Sequence, residues 1–420
     1  MTTSTPIAIE HVPRGTRIPR LQELSFLPIT MLGVADGAGF EEIRQRLVSH
    51  MIELRENSPG TGNTALFRTA RGDPKRYVSN VSSSLKELML LRLVEKATVP
   101  SSARAALNYA NTTFAASEKG LEWAALLRAD LRKGYDRLLN MLWHAHPQFR
   151  SFLRGLSEDG IAVPLLQWGE LPEPRTRGRY VSYLSTRVSM HLADEPCGWV
   201  ASEAEVLAAV KGYLDDRYRE ARARGREEPY PRNQDFVNAC EEALVKFAFA
   251  RRGLAIDYIS HQILRRWTKV LGVANFSYHV PRWNALRLWS TAAIDESGED
   301  VSATRRIGPA VIQSAVEHLP SVYDEVRRRD PTRSLWVPIY RVRAGICWKL
   351  NTIEATFDNA LRRILDNEAG QDIPFGVNLD KAQYGSFPPS ELPLRLRTRR
   401  GVQTYYAMSL VPKRQVETNA

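Results

Sequence analysis

Apolar residues recur every three or four positions through much of the chain, and this spacing predicts a mainly α-helical protein. One such run spans residues 40–54, and Ser58-Pro59-Gly60 ends the predicted helix because proline and glycine both interrupt helices. Helical spacing also extends from about 180 to 292, so the middle of the chain is predicted to be helical. A further run spans residues 74–91, and its apolar face consists of Val78, Val81, Leu85, Leu88 and Leu91.

Changes in composition divide the chain into six segments. Residues 1–20 carry three prolines without apolar periodicity and are expected to form a flexible basic arm. Residues 157–180 are rich in proline, glycine and arginine, which favours a linker. The predicted order is an arm (1–20), a first domain with a long C-terminal helix (21–156), a linker (157–180), a helical domain (181–305), a second domain (306–413) and a tail (414–420).

Residues 74–127 hold the most informative pattern of the sequence. The predicted elements are a helix over 74–91, a strand over 93–99, a turn over 100–107, a strand over 109–115 and a helix that begins near Ser117. This order, together with Ser117-Glu118-Lys119-Gly120 and the following Leu121, resembles the second half of the winged helix in MarR-like and PadR-like DNA-binding proteins. The resemblance covers roughly residues 22–130 and implies a winged helix-turn-helix domain with a recognition helix and a hairpin wing.

The predicted recognition helix carries short polar and basic side chains on the face opposite its apolar residues. These side chains are Lys75, Arg76, Ser79, Asn80, Ser83 and Lys86. Arginine can contact guanine with two hydrogen bonds, and asparagine can contact adenine in the same way. Arg71, Lys75 and Arg76 cluster near the start of the helix, where backbone N–H groups also favour phosphate contacts. Arg104 lies in the predicted wing and is expected to contact a flanking phosphate or the minor groove. The alternative is a solvated face in a winged helix that contacts protein.

A second pattern of helices followed by strands occupies residues 308–411 and also resembles a winged helix. Alternation with Leu394 and Leu396 places two arginines on the opposite face of a strand, so one face is apolar and the other cationic. Two more arginines precede Gly401 and suit the tip of a basic hairpin wing. The four arginines of this predicted wing are Arg395, Arg397, Arg399 and Arg400.

This second pattern departs from the winged-helix families in two ways. It contains a long insertion over 380–391, and its predicted recognition helix over 353–367 carries the acidic residues Glu354 and Asp358. Carboxylates repel the DNA backbone. Contact between the wing and phosphate is therefore the expectation here, rather than contact between this helix and the groove.

The chain has an excess of basic residues that points to an anionic partner. Lys and Arg number 58 against 47 Asp and Glu, which gives a formal net charge of +11 and a pI near 9.6. A positive field of this size favours polyanions, and the prevalence of arginine suits bidentate contacts with phosphate or guanine. Double-stranded DNA is the expected partner, and an acidic membrane surface or an acidic protein is the alternative that charge leaves open.

Other sequence features bear on location. No apolar run approaches the ~20 residues needed to cross a bilayer, so no membrane association is expected. Residues 1–14 are polar and lack the apolar stretch of a signal peptide. We therefore expect a cytoplasmic, nucleoid-associated protein. The cysteines are far apart, which favours free thiols over disulfides or a zinc site, and they are Cys197, Cys240 and Cys347.

The sequence offers no credible catalytic centre. It lacks the GxxxxGK[ST] loop, a GxGxxG after a strand, and the GxSxG elbow, so no cofactor is expected. His144 and His146 are interpreted as a partly exposed helix end rather than a metal pair. Glu242 and Lys246 are interpreted as a helix salt bridge. The core is expected to include Trp267, Trp283 and Trp289.

These observations predict a non-enzymatic DNA-binding protein with a winged helix at each end and a helical middle. A role in a mobile element, in plasmid replication or in phage defence would suit this layout by analogy of fold. One alternative is an architectural subunit similar to the kleisin partners of SMC ATPases, whose winged helices bind protein. Another is a subunit of a divergent DNA-processing enzyme. Protein partners are expected at the helical middle, and self-association is left open.

Overall fold

The computed structural model describes about half of the chain in well-defined segments. These are residues 21, 23–57, 74–97, 112–156, 161–164, 258–279, 284–329, 334–366, 373–381, 394–398 and 401–412, with a few single positions between 208 and 225. Within them the protein is mainly helical with small antiparallel sheets, which confirms the predicted fold class at that level.

The N-terminal segment contains helices on either side of a short hairpin. Its elements are α1 (Phe26–Ala35), α2 (Phe40–Asn57), α3 (Pro74–Leu90), β1 (Val94–Lys96), β2 (Phe114–Ala116), α4 (Glu118–Ala129), α5 (Leu131–Ala145) and α6 (Pro147–Gly155). The helices predicted over 40–54 and 74–91 are both confirmed. Strands β1 and β2 pair antiparallel, with Val94 opposite Ala116. The turn predicted between them lies outside the described residues.

In the described residues of the middle segment, one continuous helix and a group of strands are seen, besides single helical positions between 208 and 223. Its elements are β3 (Ile161–Pro164), α7 (Tyr258–Leu271), β4 (Ala274–His279), β5 (Asn284–Ser290), β6 (Ala292–Asp295) and β7 (Ser302–Arg305). Strand β5 lies between β3 and β4 in one antiparallel sheet, and β6 pairs with β7 in a hairpin.

The prediction of an all-helical middle is wrong for residues 274–305, which form four strands. The cause lies in β5, where Leu288 packs in one core and Trp289 in another. Arg287, Leu288 and Trp289 are consecutive and all buried, so burial in this strand does not alternate. The period of two on which a strand assignment depends is therefore obscured. The predicted linker needs the same correction, since Ile161–Pro164 within it forms a strand of this sheet. The other predicted segment boundaries stay predictions.

The C-terminal segment contains helices followed by strands, as its sequence pattern predicts. Its elements are α8 (Pro309–Arg329), β8 (Val337–Pro338), α9 (Ile339–Lys349), α10 (Glu354–Leu365), β9 (Phe375–Asp380), β10 (Leu394–Thr398), β11 (Gly401–Tyr405) and β12 (Ala407–Pro412). Strand β12 lies between β8 and β9 in an antiparallel sheet, and β10 and β11 form a separate hairpin.

Two hydrophobic cores hold these segments together. The first contains side chains of α1 to α7, and the second is built mainly from α8, α9 and α10. Trp267 and Trp289 are fully buried, which confirms their assignment to the core, while Trp283 lies outside the described residues. Their indole N–H groups are also satisfied, because Trp267 donates to the carbonyl of Leu21 at 2.8 Å and Trp289 donates to that of Thr352 at 2.9 Å.

Ion pairs and hydrogen bonds further join the β6–β7 hairpin to the N-terminal helices. Arg154 of α6 pairs with Glu296 at 2.5 Å, and Arg305 pairs with Asp136 of α5 at 2.6 Å. The side chain of Asn140 accepts a hydrogen bond from the backbone of Val301 at 3.1 Å. The hairpin is thereby fixed against α5 and α6.

Two further observations concern the membrane and the thiols. No helix in the described part of the chain is long and apolar enough to cross a membrane. Cys347 is a buried free thiol, and burial raises its pKa well above the usual value. Cys197 and Cys240 lie outside the described residues.

Candidate nucleic-acid interface

Helix α3 has the amphipathic form that its sequence predicts. Val81, Leu85 and Leu88 are fully buried, and the helix packs against α1 and α2. Steps of four and three residues put Ser79, Ser83 and Lys86 together on the outward side. Ser79 is exposed there, and the other two are half-buried. This surface combines short side chains with a cation, as close approach to a polyanion requires.

The remaining residues predicted in the first interface are placed only in part. Asn80 is half-buried at the edge of the outward face, on the same side of the helix as the buried Glu87 two turns later. Lys75 and Arg76 belong to α3, but their side chains lie outside the described residues. Arg71 and Arg104 lie entirely outside them. The structure therefore brings Ser79, Ser83 and Lys86 together and leaves the other predicted contacts as predictions.

The connection from α3 to the hairpin explains the serine of the Ser117-Glu118-Lys119-Gly120 motif. Helix α3 ends with Arg92 in the left-handed region at φ 58°, and the Leu93 N–H bonds back to the Leu88 carbonyl at 2.9 Å. The Ser117 hydroxyl donates to the freed carbonyl of Arg92 at 2.8 Å and accepts from the Gly120 N–H at 3.1 Å. One side chain thus caps α4 and attaches it to the end of α3.

The glycine of the same motif is required by a close backbone approach. The start of α4 passes over the Leu93 carbonyl, and a Cβ at Gly120 would overlap that oxygen and come within 3.0 Å of its carbon. Only glycine allows this distance. The motif therefore fixes the position of the hairpin strands relative to α3.

A buried polar pair anchors the inner side of α3. Glu87 and His146 hydrogen-bond to each other with less than a tenth of either side chain exposed, and the His146 ring packs edge-on against Trp267 at 5.4 Å. The interpretation of both histidines as a partly exposed helix end is therefore wrong for His146, although His144 is exposed. No sequence signal could have found this pair, because its partners are 59 residues apart. Among the described residues, no group of three or more His, Cys, Asp or Glu side chains could hold a metal ion.

In the C-terminal segment, a tight turn joins α9 to α10, and the two helices pack against each other. The turn places Asn351 in the left-handed region at φ 49°, and the Thr352 N–H bonds to the Cys347 carbonyl at 3.0 Å. Asparagine is the non-glycine residue that tolerates this conformation best. Helix α10 then packs its apolar face against α8, α9 and β9.

The two acidic residues of α10 are paired inside the protein. Glu354 binds the Lys269 ammonium at 2.5 Å and the Asn275 amide at 3.1 Å, and Asp358 binds the Arg343 guanidinium at 3.0 Å. Only 26% of the Glu354 side chain and 28% of that of Asp358 are exposed. The acidic character expected of this helix is therefore absent from most of its outward face.

The pKa values of these carboxyl groups follow from the same contacts. Burial acts to raise the pKa of Glu354, but the charge and hydrogen bond of Lys269, together with a backbone hydrogen bond and the charge of Arg343, outweigh burial, so the pKa lies below its usual value. Burial raises the pKa of Asp358, and the Arg343 guanidinium acts against that rise. Glu354 is thus held as a carboxylate by a cation of α7.

The outward face of α10 carries residues that the sequence interpretation missed. Ala355 and Arg362 are exposed, and Asn359 and Arg363 are half-exposed. The Arg362 guanidinium donates to the side-chain amide oxygen (Oδ1) of Asn359 at 3.3 Å. Positions 355, 359 and 362 lie opposite the buried apolar positions of the helix. The helical spacing of Phe357, Leu361 and Ile364 could have located this face from the sequence, since it fixes which side is outward.

The β10–β11 hairpin spans the residues of the predicted basic wing. Leu394 and Leu396 are buried and Arg395 is half-exposed, which confirms the alternation at the start of β10. Thr398 pairs with Gly401, so Arg399 and Arg400 lie between them, outside the described residues. Arg397 belongs to β10, but its side chain is likewise outside them.

Comparison with known proteins returns no match, whether with family models, curated proteins or solved structures. The candidate interface is therefore interpreted from its own geometry.

Proposed function

We propose that the protein is a non-enzymatic DNA-binding protein that contacts duplex DNA through winged-helix units at both ends of the chain. The observation that carries this proposal is the C-terminal unit, in which two helices joined by a tight turn are followed by antiparallel strands and by a hairpin whose strand β10 buries Leu394 and Leu396 and leaves Arg395 half-exposed. Leu394 and Leu396 of β10 pack in the second core, so this strand is a fixed part of the unit.

The N-terminal unit supports the proposal in a second way. Helix α3 leads directly into the β1–β2 hairpin, and the Ser117 and Gly120 contacts attach both to α4. The outward residues Ser79, Ser83 and Lys86 provide a surface with no carboxylate among them. A net charge of +11 adds long-range attraction toward a polyanion.

Binding to random duplex DNA across a salt series tests this function. If about six phosphates are neutralised, the slope of log affinity against log salt should be near −5. The double variant Arg399→Ala/Arg400→Ala should shrink the slope by about one to two units, because each arginine is expected to contact one phosphate. The matched control Arg132→Ala/Lys133→Ala removes the same charge from the exposed start of α5 and should leave the slope unchanged.

A flat salt response, or no binding at low salt, would reject the proposal. Retained binding to a protein partner in that case would favour the kleisin-like alternative instead. A role in a mobile element, plasmid replication or phage defence, and an association with the nucleoid, stay predictions that depend on this result.

A further inference from the structure

The outward face of α10 has a hydrogen-bonding character that follows from its internal contacts. Glu354 is paired with Lys269 and Asp358 with Arg343, although 28% of the Asp358 side chain stays exposed and Arg362 acts to lower its pKa. The exposed Asp366 at the C-cap lies one turn after Arg362 on the same face. Asn359 and Arg362 therefore define the centre of the face. Ala355 lies one turn before Asn359, and its methyl side chain is too short to prevent close approach of a duplex.

The Asn359–Arg362 contact decides what this face can bind. The Arg362 guanidinium donates to the Asn359 oxygen at 3.3 Å, which engages the side-chain acceptor of the pair. The groups of this pair that remain for a ligand are N–H donors, from the Arg362 guanidinium and from the Asn359 amide nitrogen. Adenine offers a donor beside its N7 acceptor in the major groove, whereas guanine offers two adjacent acceptors, N7 and O6.

We propose that α10 reads guanine in the major groove, with Arg362 as the contacting residue and Asn359 as the residue that positions its guanidinium. This inference rests on the proposed duplex binding and adds to it a base preference. It also assigns sequence choice to α10, while the β10–β11 hairpin holds the phosphate backbone. Arg363, which lies on the flank of the face, is placed to contact phosphate and not a base edge.

The test starts by selecting the preferred duplex of the full-length protein from a random pool. Affinity is then compared on that duplex and on one in which its guanines are replaced, one at a time, by 7-deazaguanine. That replacement removes the N7 acceptor and leaves every phosphate unchanged. At one guanine the wild-type protein should lose at least about fivefold in affinity, the lower limit for a bidentate base contact.

Variants of α10 assign the loss to particular side chains. Arg362→Ala should bind the two duplexes equally, and Asn359→Ala should reduce the difference between them in a protein of unchanged melting temperature. Arg363→Ala, which removes the same charge one residue away, should weaken both duplexes by the same factor and keep the difference. Thermal unfolding checks that the variants are folded, as expected for substitutions on an outward face.

The possible outcomes separate this inference from the proposed function. If the wild-type protein binds duplex with the expected salt slope but selects no guanine-containing site, the reading by α10 is overturned and the proposed function stands. The same holds if Arg362→Ala retains full sensitivity to 7-deazaguanine. If the wild-type protein binds no duplex at all, both are rejected.

Discussion

Replacing Gly120 by alanine tests the backbone approach on which the N-terminal hairpin depends. The added Cβ would overlap the Leu93 carbonyl oxygen and lie 3.0 Å from its carbon and 3.1 Å from the end of the Met31 side chain. Met31 can move, but Leu93 cannot, because its carbonyl accepts from the Ser117 N–H at 3.0 Å. Relief therefore requires a shift of the α4 start by more than about 1 Å, to restore an ordinary separation between the Cβ and the carbonyl oxygen.

The expected cost can be worked out from the groups that such a shift disturbs. Overpacking in a well-packed interior costs about 1–3 kcal/mol, and loss of the Ser117 cap adds about 0.5–2 kcal/mol. Allowing for partial relaxation, Gly120→Ala should lower the free energy of unfolding by about 2–4 kcal/mol. At about 2–4 °C per kcal/mol, the melting temperature should fall by roughly 4–16 °C.

The measurement is thermal unfolding followed by calorimetry, with Gly39→Ala as the matched control. A Cβ at Gly39 meets no atom within 4 Å, so this variant should change stability by no more than about 1 kcal/mol. Equal stability of Gly120→Ala and Gly39→Ala would contradict the close approach of α4 to the Leu93 carbonyl. The account of the Ser117–Gly120 motif would be wrong with it.

Two further predictions concern buried ionisable groups. Burial holds the pKa of His261 well below 6.5, so the imidazole stays neutral in the folded protein but is protonated in the unfolded chain below that pH. The contribution of His261 to stability should therefore be full above pH 6.5. Below that pH the free energy of unfolding should fall by up to about 1.4 kcal/mol per pH unit. His261→Phe should flatten this dependence in denaturant unfolding between pH 7.5 and 5.5, and an unchanged slope would refute the assignment. Glu354→Gln retains a hydrogen-bond acceptor for Asn275 but removes the charge opposite Lys269, and should cost about 1–3 kcal/mol. The exposed Glu317→Gln should cost less than about 0.5 kcal/mol, and equal losses for the two variants would contradict the internal role of Glu354.

The sequence predicts the helical elements well because their signal is local. The apolar positions of α3 and α10 repeat with the helical period, so their inward faces, including Val81 and Leu361, follow from spacing alone. The hairpin after α3 follows from the Ser117 motif. These elements hold most of the candidate interface.

The remaining features depend on partners that are distant in the sequence. From the sequence alone, Glu354 is expected to place a negative charge on a helix that contacts DNA. Its partner Lys269 lies 85 residues earlier, and only the fold brings the two together. Glu87 pairs with His146 in the same non-local way. The donor groups of Asn359 and Arg362 escape sequence analysis for the same reason. From the sequence alone, Glu354 and Asp358 make α10 acidic, and only the fold shows that both carboxylates are paired with cations.

Strand β5 carries Leu288 into one core and Trp289 into the other, and this has a consequence for how the gene can change. The two ends of the chain cannot be exchanged between proteins as independent units, because a junction before Leu288 removes that residue from the first core and a junction after Trp289 removes that residue from the second. A C-terminal fragment beginning near residue 306 would lack Trp289, whose indole bonds to Thr352 in the turn before α10. Recombination events that preserve function should therefore have their breakpoints outside the region from α7 to α10. The N-terminal and C-terminal segments should then be inherited together.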